Sequence, residues 1–191
     1  DDRVVGISFT GSDTVGRQLS KIAAERGAKI QLEMGGKNPA VVMADADMEH
    51  ALQHVVSGAM WSAGQKCTAT SRAIVDRRIA AEFTERLAER IRALKVGDPL
   101  APETQVGPVI SEDAVERLVK EVEHAKQEGA EVLAGGSRLS GDGFGKGHFL
   151  APTLLGQVDP QSRLAQEELF GPVLGVIAVG SLEEAIAVAN S

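Results

Sequence analysis

Hydrophobic and polar positions along the chain follow two periods, one typical of strands and one typical of helices. Residues 4–9 form a short β-branched and apolar run, which predicts a buried strand near the start of the sequence. The next residues, "TGSDTVG", form a turn in which Ser12 or Asp13 is placed to cap a helix. Apolar residues then recur at helical spacing until Gly27, where we expect that helix to end.

The same two periods predict most of the remaining elements. Helices are expected over residues 48–61, 80–97 and 112–128. Strands are expected at "RAIVD", "EVLAGG", "FLAPTLL" and "VLGVIAV". Two extended runs in "AKIQLEMGGKNPAVVM" are broken by Gly35, Gly36 and Pro39. Strands that alternate with helices predict an α/β fold with a parallel-rich sheet and flanking helices.

The stretch "GGSRLSGDGFGKG" is dense in glycine and polar residues, so we expect a surface loop rather than a linker between domains. The sequence begins directly on a predicted strand and stops at "EEAIAVANS", within a predicted helix. We therefore expect it to be a piece of a longer protein.

Charge and composition exclude several classes of function. The formal net charge is −7, whereas nucleic-acid and anionic-membrane surfaces need a clustered basic face. Aromatic residues make up only 3%, which disfavours stacking on single-stranded bases. One cysteine cannot form an internal disulfide, and no apolar run approaches the roughly 20 residues that span a bilayer. We expect a cytoplasmic protein without nucleic-acid or membrane partners.

Cys67 is the single cysteine and lies in "GQKCTATSR", just after a helix predicted to contain Trp61. Lone cysteines are usually small buried hydrophobes. A nucleophilic thiol needs surroundings that ionise it, or a base that acts on it or on the attacking water. Lys66 is adjacent and positively charged, although neighbouring side chains often point apart. The residue by itself leaves both interpretations open.

Three further stretches contain residue types that suit catalysis or cofactor binding. Glu33 ends an apolar run before a glycine pair; a partly desolvated acid suits a general base, although strand-end acids are more often solvated. Gly11 and Gly16 belong to a strand, turn and helix that either direct N–H groups at a phosphate or form an ordinary turn. Glu167 and Glu168 precede an aromatic residue and a Gly-Pro turn, where a solvated acid pair is the more ordinary interpretation.

The four histidines form no cluster with metal-ligand spacing. His50 and His54 are four residues apart on a predicted helix, but no third ligand is nearby in the sequence. We expect these to be surface residues and predict no metal site.

Four stretches nevertheless occur together in a recognisable order. "FTGSDTVG", "EMGGKNP", "GQKCTATSR" and "EELFGPV" resemble, in this order, the signature stretches of the aldehyde dehydrogenase superfamily. Glu33 and Cys67 lie 34 positions apart, which also matches the family pattern. The stretches "KVGDPL", "VGPVIS" and "FLAPTLL" are similar as well, so the resemblance covers essentially the whole chain. It implies that Cys67 is the catalytic nucleophile.

The resemblance implies a reaction in which the Cys67 thiolate attacks an aldehyde carbonyl and forms a thiohemiacetal. The oxyanion would be held by the Cys67 N–H and by an asparagine that lies upstream of Asp1 in family members. Hydride transfer to NAD or NADP would leave a thioester, which Glu33 would hydrolyse by activating water. Family members that pass the acyl group to coenzyme A tend to lack this acid, so Glu33 favours the acid-forming branch.

The resemblance also implies cofactor contacts. Gly11, Ser12 and Gly16 would lie at the pyrophosphate of the cofactor, with Ser12 the phosphate contact. Glu168 would hydrogen-bond the nicotinamide ribose hydroxyls, with Phe170 packed beside that ring. The residues that discriminate NAD from NADP would lie upstream of this sequence, so both cofactors stay open.

The same resemblance predicts two domains and a class of substrate. Residues 1–33 would be the end of a Rossmann-like dinucleotide-binding domain, and residues 34–191 a catalytic domain truncated at its C-terminal end. "GQKCTATSR" is most similar to enzymes acting on acid semialdehydes, notably 2-oxoglutarate semialdehyde (2,5-dioxopentanoate), with a general aliphatic or aromatic aldehyde as the alternative. We expect the full-length protein to form homo-oligomers, as the family typically does.

Two other functions stay open. A redox-free Cys/Glu hydrolase or acyltransferase would cleave activated esters without reducing a nicotinamide, and "EELFGPV" disfavours it because that stretch holds the nicotinamide half of the cofactor in the family. A non-catalytic folded fragment would be inert in both assays.

We predict that the 191-residue chain by itself binds NAD or NADP weakly and oxidises aldehydes little or not at all. The reason is that most of the cofactor domain of family members would precede Asp1. Calorimetric titration of the purified chain with each cofactor is the measurement, and binding at ordinary micromolar affinity would contradict the prediction.

Overall fold

A computed structural model describes residue 1 and residues 3–191 of the chain. These residues divide into two units, Asp1–Gly36 and Lys37–Ser191. The smaller unit is a single strand–helix–strand segment, and the larger one is built on a five-stranded sheet.

The smaller unit contains two parallel strands joined by one helix. Its elements are β1 (Gly6–Thr10), α1 (Asp13–Arg26) and β2 (Lys29–Glu33). The Ser12 side chain accepts a hydrogen bond from the Val15 N–H, so Ser12, one of the two residues that the sequence offers, caps α1. Gly27 ends the helix with φ at 65°, a left-handed conformation that glycine adopts at little cost.

The first strand differs from the prediction at its start and in its burial. It begins at Gly6, and the side chains of Val4 and Val5 are 45% and 78% exposed. Exposure alternates along β1 instead of staying low. The physical reason is that this sheet has only two strands, which a single helix covers on one face.

The larger unit contains twelve regular elements. They are β3 (Asn38–Val42), α2 (Met48–Met60), β4 (Thr70–Asp76), α3 (Ala80–Arg92), α4 (Glu112–Gln127), β5 (Glu131–Ala134), β6 (Arg138–Leu139), β7 (Phe149–Leu150), β8 (Thr153–Gly156), α5 (Arg163–Gln166), β9 (Val173–Val179) and α6 (Leu182–Ala189). None of the helices within the described residues is long and apolar enough to cross a membrane.

The main sheet has the strand order β3-β4-β9-β8-β5. Its first four strands are parallel to their neighbours, and β5 is antiparallel to β8 at the far edge. The short strands β6 and β7 form a separate antiparallel pair. The prediction of an α/β fold with a parallel-rich sheet is therefore confirmed.

The two central strands form the middle of the core. In β4 the side chains of Ala73, Ile74 and Val75 have no exposed surface, and β9 is buried along nearly its whole length. Parallel strands covered on both faces are encoded as continuous apolar runs. This is why "RAIVD" and "VLGVIAV" were recognisable as strands.

Helix α3 packs one face into that core. Phe83, Leu87 and Ile91 follow one another at helical spacing and are at most 1% exposed. Full burial of each such side chain contributes about 1.5–3 kcal/mol. The charged residues of the predicted amphipathic helix lie on its other face.

The sequence prediction is also wrong at three other places. The run "FLAPTLL", expected to be one strand, is divided into β7 and β8, which lie in different sheets. Pro39, expected to break the chain, lies within β3, where it is tolerated because β3 is an edge strand and its register shifts between Asn38 and Pro39. The glycine-dense stretch expected to be only a loop contains β6, with Arg138 opposite Leu150 of β7.

Asp76 ends β4 as a buried carboxylate held by a neighbouring arginine. The residue is 1% exposed and accepts hydrogen bonds from the Arg78 N–H at 2.9 Å, from its Nε at 3.0 Å and from its terminal nitrogen at 2.6 Å. The side-chain bonds from Arg78, followed by its backbone bond, lower the pKa of Asp76 to about 2.

We predict that ionised Asp76 stabilises the fold fully above its unfolded pKa of about 3.9 and that this stabilisation is lost as the pH falls through the folded value of about 2. The sign follows because the folded carboxylate binds its proton less readily than the unfolded one. Urea denaturation of wild type and Asp76→Asn across acidic pH is the measurement. The difference in free energy of unfolding should be largest at neutral pH and shrink on acidification, and a pH-independent difference would contradict the prediction.

Candidate active site

The backbone turns sharply just before Cys67. After α2, a short 3-10 turn covers Trp61–Gly64. Ser62, Ala63 and Gly64 have φ values of 56°, 52° and 65°, so all three are left-handed. Such a conformation costs a residue with a side chain about 1–3 kcal/mol. Contacts with the surrounding structure must therefore hold this turn.

Residues 65–69 form what we call the thiol loop. Cys67 is unpaired and exposed at its centre. The Ala69 N–H donates to the Lys66 carbonyl at 3.0 Å, which closes a turn around Cys67. The N–H of Cys67 itself donates to no acceptor among the described residues. A thiol that projects from a tight turn is not the buried hydrophobe that most lone cysteines are.

Asn38 at the start of β3 binds the thiol loop through its side chain. Its Nδ2 atom donates to the carbonyl oxygen of Cys67 at 2.6 Å and to that of Ala69 at 3.1 Å. A carboxamide nitrogen carries two hydrogens, and both are used here. The stretches "KNP" and "GQKCTATSR" are thereby joined side by side in the larger unit.

Gln65 anchors the beginning of the thiol loop to a segment far along the chain. Its Oε1 accepts from the Ile110 N–H at 2.8 Å, and its Nε2 donates to the carbonyls of Pro108 and Ser62, both at 3.4 Å. The stretch "VGPVIS" therefore supports the thiol loop directly.

Gly64 brings the thiol loop against the stretch "EELFGPV". A Cβ atom at Gly64 would lie 2.1 Å from the carbonyl oxygen of Gly171. A Cβ at Gly171 would in turn lie 2.5 Å from the side chain of Leu118. Gly64 must be glycine because backbone atoms of Gly171 and Pro172 lie too close for a side chain, whereas the atoms near Gly171 belong to the flexible end of Leu118. Two of the four signature stretches thus meet at their glycines.

The segment before Gly171 alternates between buried and exposed side chains. Leu169 is 5% exposed, whereas Glu168 and Phe170 are exposed at the surface. Phe170 also has a left-handed φ of 54° and leaves 42% of its surface exposed. Glu167 accepts a hydrogen bond from Arg163 Nε at 2.9 Å.

Lys37 connects the first residues of the larger unit with this acidic segment. Its side chain is half-buried, and burial followed by the nearby charge of Arg72 lowers the pKa of Lys37 to about 8. Glu168 and Glu167 act in the opposite direction. Lys37 therefore lies within electrostatic reach of both acids.

Arg72, the last residue of "GQKCTATSR", is a buried cation whose hydrogen-bond partners among the described residues are all backbone carbonyls. It is 3% exposed and donates to Lys37 O at 2.6 Å and to Val188 O and Ala189 O, each at 3.1 Å. Its Nε has no partner among the described residues, and burial lowers the pKa of Arg72. The two carbonyls at the end of α6 carry the negative end of a helix dipole, which suits a guanidinium.

The smaller unit holds the other predicted site residues. The Gly11 N–H donates to the Glu33 carbonyl at 3.0 Å, so the turn after β1 lies beside the end of β2. The Glu33 and Ser12 side chains are exposed. Gly16 is buried, and a Cβ there would lie 2.4 Å from the Met34 sulfur, so its lack of a side chain serves packing.

Sequence reasoning missed four residues that build the thiol-bearing site: Lys37, Asn38, Gln65 and Arg72. Each lies inside a stretch that carries the family resemblance, and that location is the only feature of the sequence that could have indicated a role in the site. Among the described residues, no group of three or more histidine, cysteine, aspartate or glutamate side chains is arranged to hold a metal ion.

The chain is similar in sequence to a known protein family and to several named enzymes. The sequence model of the Aldehyde dehydrogenase family matches residues 1–191. "Alpha-ketoglutaric semialdehyde dehydrogenase" of Bacillus subtilis (strain 168) is 44% identical over 189 residues, which are 99% of this chain and 39% of that protein. "Aminoaldehyde dehydrogenase 2, peroxisomal" of Pisum sativum is 41% identical over 96% of this chain and 36% of its own length. "Alpha-ketoglutarate semialdehyde dehydrogenase" of Haloferax volcanii is 40% identical over 96% of this chain and 38% of its own length.

Solved structures share the same fold. Betaine aldehyde dehydrogenase from Staphylococcus aureus in complex with NAD+ superposes with a TM-score of 0.97 at 37% identity, over 100% of this chain and 38% of that one. A double mutant of it, with NAD+ and a BME-modified cysteine, gives a TM-score of 0.96 at 38% identity, over 99% of this chain and 38% of that one. The chain spans less than two fifths of the length of these relatives.

We predict that Gly64→Ala lowers the free energy of unfolding by about 2–5 kcal/mol, because left-handed strain adds to a clash with the Gly171 carbonyl. Urea denaturation followed by the fluorescence of Trp61, the single tryptophan, is the measurement.

Gly129→Ala is the matched control for Gly64→Ala. Gly129 lies in the same unit with φ at +99°, and a Cβ there would meet nothing within 4 Å. Gly129→Ala should lower the free energy of unfolding by only about 1–2 kcal/mol, which is the cost of the backbone strain. Equal losses in the two variants would show that the Gly171 contact does not matter.

Proposed function

This chain belongs to the aldehyde dehydrogenase family, and on that basis we propose that it forms the thiol-bearing part of an enzyme that oxidises an aldehyde to a carboxylic acid. The observation that carries the proposal is the exposed Cys67 in a turn that contacts the "EELFGPV" segment. An exposed thiol in a restrained loop can reach a carbonyl carbon, which a buried cysteine cannot.

The Cys67 thiolate attacks the aldehyde carbon and forms a carbon–sulfur bond, and the carbonyl electrons move to the oxygen. After hydride loss, the acyl group is held on Cys67 as a thioester. Glu33 takes a proton from water, which adds to the acyl carbon and displaces the thiolate. The carboxylic acid leaves, Glu33 releases its proton to solvent, and the Cys67 thiolate is ready for another cycle.

The backbone of the thiol loop supports the charge that develops on the substrate oxygen. The bond from Ala69 N–H to Lys66 O fixes the peptide plane between Lys66 and Cys67. In a trans peptide the N–H points opposite to the carbonyl, so the Cys67 N–H points out of the turn. A preorganised donor of this kind stabilises an oxyanion without any rearrangement during the reaction.

NAD or NADP supplies the hydride acceptor when it is bound. The residues that would hold it are Gly11, Ser12, Gly16, Glu168 and Phe170. The exposed start of α1 fits a phosphate, because the Ser12 hydroxyl accepts from Val15 N–H and keeps its own hydrogen to donate. Asp13 in the first turn would repel a phosphate, but Arg17 balances its charge at 2.6 Å.

The proposed substrate is an aldehyde that also bears a carboxylate, such as 2-oxoglutarate semialdehyde. Two relatives carry the name of a dehydrogenase for this compound, at 44% and 40% identity. Lys66 is exposed next to Cys67 and supplies a positive charge suited to a carboxylate. The general alternative is an aliphatic or aromatic aldehyde.

The two units are proposed to match two functions. Residues 1–33 would belong to the dinucleotide-binding domain and residues 34–191 to the catalytic domain, close to the division between Gly36 and Lys37. A homo-oligomeric full-length protein in the cytoplasm completes the proposal.

We predict that the full-length protein that carries this sequence reduces NAD or NADP when supplied with acid semialdehydes. Absorbance of the reduced cofactor across a panel of aldehydes, with each cofactor, gives the cofactor and the substrate class together. Cys67→Ala should abolish the reduction, because no other cysteine of this chain can form the thioester.

Glu33→Gln separates the two halves of the proposed reaction. It should retain a single rapid burst of reduced cofactor and lose steady turnover by about 100-fold or more, since general bases contribute of this order. A folded wild-type protein that reduces neither cofactor with any aldehyde would refute the proposal, and ester cleavage by that protein would favour the redox-free hydrolase.

A further inference from the structure

We propose that Asn38 is a positioning residue for Cys67, whose carboxamide fixes the backbone of the thiol loop so that the thiol and the Cys67 N–H face the reacting carbonyl. The inference rests on the proposed function, because the orientation of Cys67 governs a rate only if Cys67 is the nucleophile. Asn38 acts through the loop and makes no contact with the reacting atoms.

The geometry of the contact makes Asn38 a specific partner of the loop. Its Nδ2 reaches two carbonyls, Cys67 O at 2.6 Å and Ala69 O at 3.1 Å. Only the nitrogen end of the carboxamide can face two carbonyl oxygens, since its own oxygen would repel both. In the part of the chain that the structure describes, no other side chain bonds to either carbonyl.

The backbone that carries the Asn38 side chain is held by the fold. The buried Arg72 donates to the carbonyl of the preceding residue, Lys37, at 2.6 Å. Asn38 also starts β3, which pairs with β4. Its side chain therefore projects from a restrained backbone and can transmit that restraint to the loop.

The two bonds act on the part of the loop that the other anchors leave free. Gln65 fixes only the first residue of the thiol loop, and the Ala69 N–H fixes the Lys66 carbonyl. The bonds from Asn38 fix the peptide planes that follow Cys67 and Ala69. With both flanking planes set, Cys67 has little backbone freedom left and its side chain starts from a defined direction.

The first test compares Asn38→Ala and Asn38→Asp with Ser71→Ala in the full-length protein. Asn38→Ala and Asn38→Asp should lower kcat by about tenfold or more, as expected for loss of an oriented hydrogen bond, with little change in KM. Ser71→Ala removes a bond to the backbone of Asn38 but keeps its carboxamide, so kcat should stay within about twofold.

The second test needs no aldehyde and no cofactor. The 191-residue chain has one cysteine, so the rate of its alkylation by iodoacetamide reports on Cys67 alone. Asn38→Ala, which adds no charge, should change the plateau of the alkylation rate at high pH by at least about twofold, because the sulfur no longer starts from one defined direction. Ser71→Ala, which keeps both bonds of the carboxamide, should leave that plateau unchanged.

A measurement on the wild-type chain covers the case in which the variants fail to fold. The carboxamide protons of Asn38 should exchange with solvent at least about tenfold more slowly than those of free asparagine, since both are hydrogen-bonded. Exchange at the free rate, or an Asn38→Ala protein with kcat within about twofold of wild type, would overturn the proposal.

The two proposals fail in different ways. A wild-type protein that oxidises no aldehyde would refute the proposed function, and the positioning role would then be overturned with it as a rate effect. An active wild-type protein whose Asn38 variants keep the wild-type kcat and alkylation profile would overturn the positioning role alone.

Discussion

The close approach of Gly64 to the carbonyl of Gly171 is the constraint on which the thiol-bearing site depends. It leaves no room for a Cβ at Gly64, which is the last of three successive left-handed residues, Ser62 to Gly64. That conformation reverses the chain directly after α2 and exposes Cys67 at the surface. The side-chain hydrogen bonds of Gln65 and Asn38 then hold the thiol loop in this position. A strained turn of this kind persists only because the surrounding contacts over-determine it.

The sequence predicts the architecture better than the site because burial leaves a periodic signal and hydrogen bonds do not. The runs around Ile74 and Ile177 are apolar on both faces, so the two central parallel strands were predictable. Pro39 misled the prediction, since proline is tolerated at a strand edge and nothing in its neighbours marks β3 as an edge strand. The start of β1 was misplaced for a similar reason, because Val4 and Val5 are apolar but exposed.

Arg72 shows why the rest of the site was not predictable. An arginine beside the strand run "AIVD" suggests a solvated strand end, yet its guanidinium is buried and binds carbonyls from residues more than a hundred positions apart. Which carbonyls converge on it depends on the completed sheet. The same holds for Asn38 and Lys37, whose partners lie in other signature stretches. The sequence shows which motif each of these residues belongs to. Only the folded structure shows which residues they contact.

The pairing of Gly64 with Gly171 also sets an order of events during synthesis. Cys67 is made 104 residues before Gly171, which corresponds to about 5–20 s of translation. Until Gly171 is in place just before β9, the turn that precedes the thiol lacks its closest backbone contact. Contacts between such distant residues form late, because the loop between them must first be closed. The thiol of Cys67 therefore exists in the nascent chain before the contacts that surround it in the folded protein.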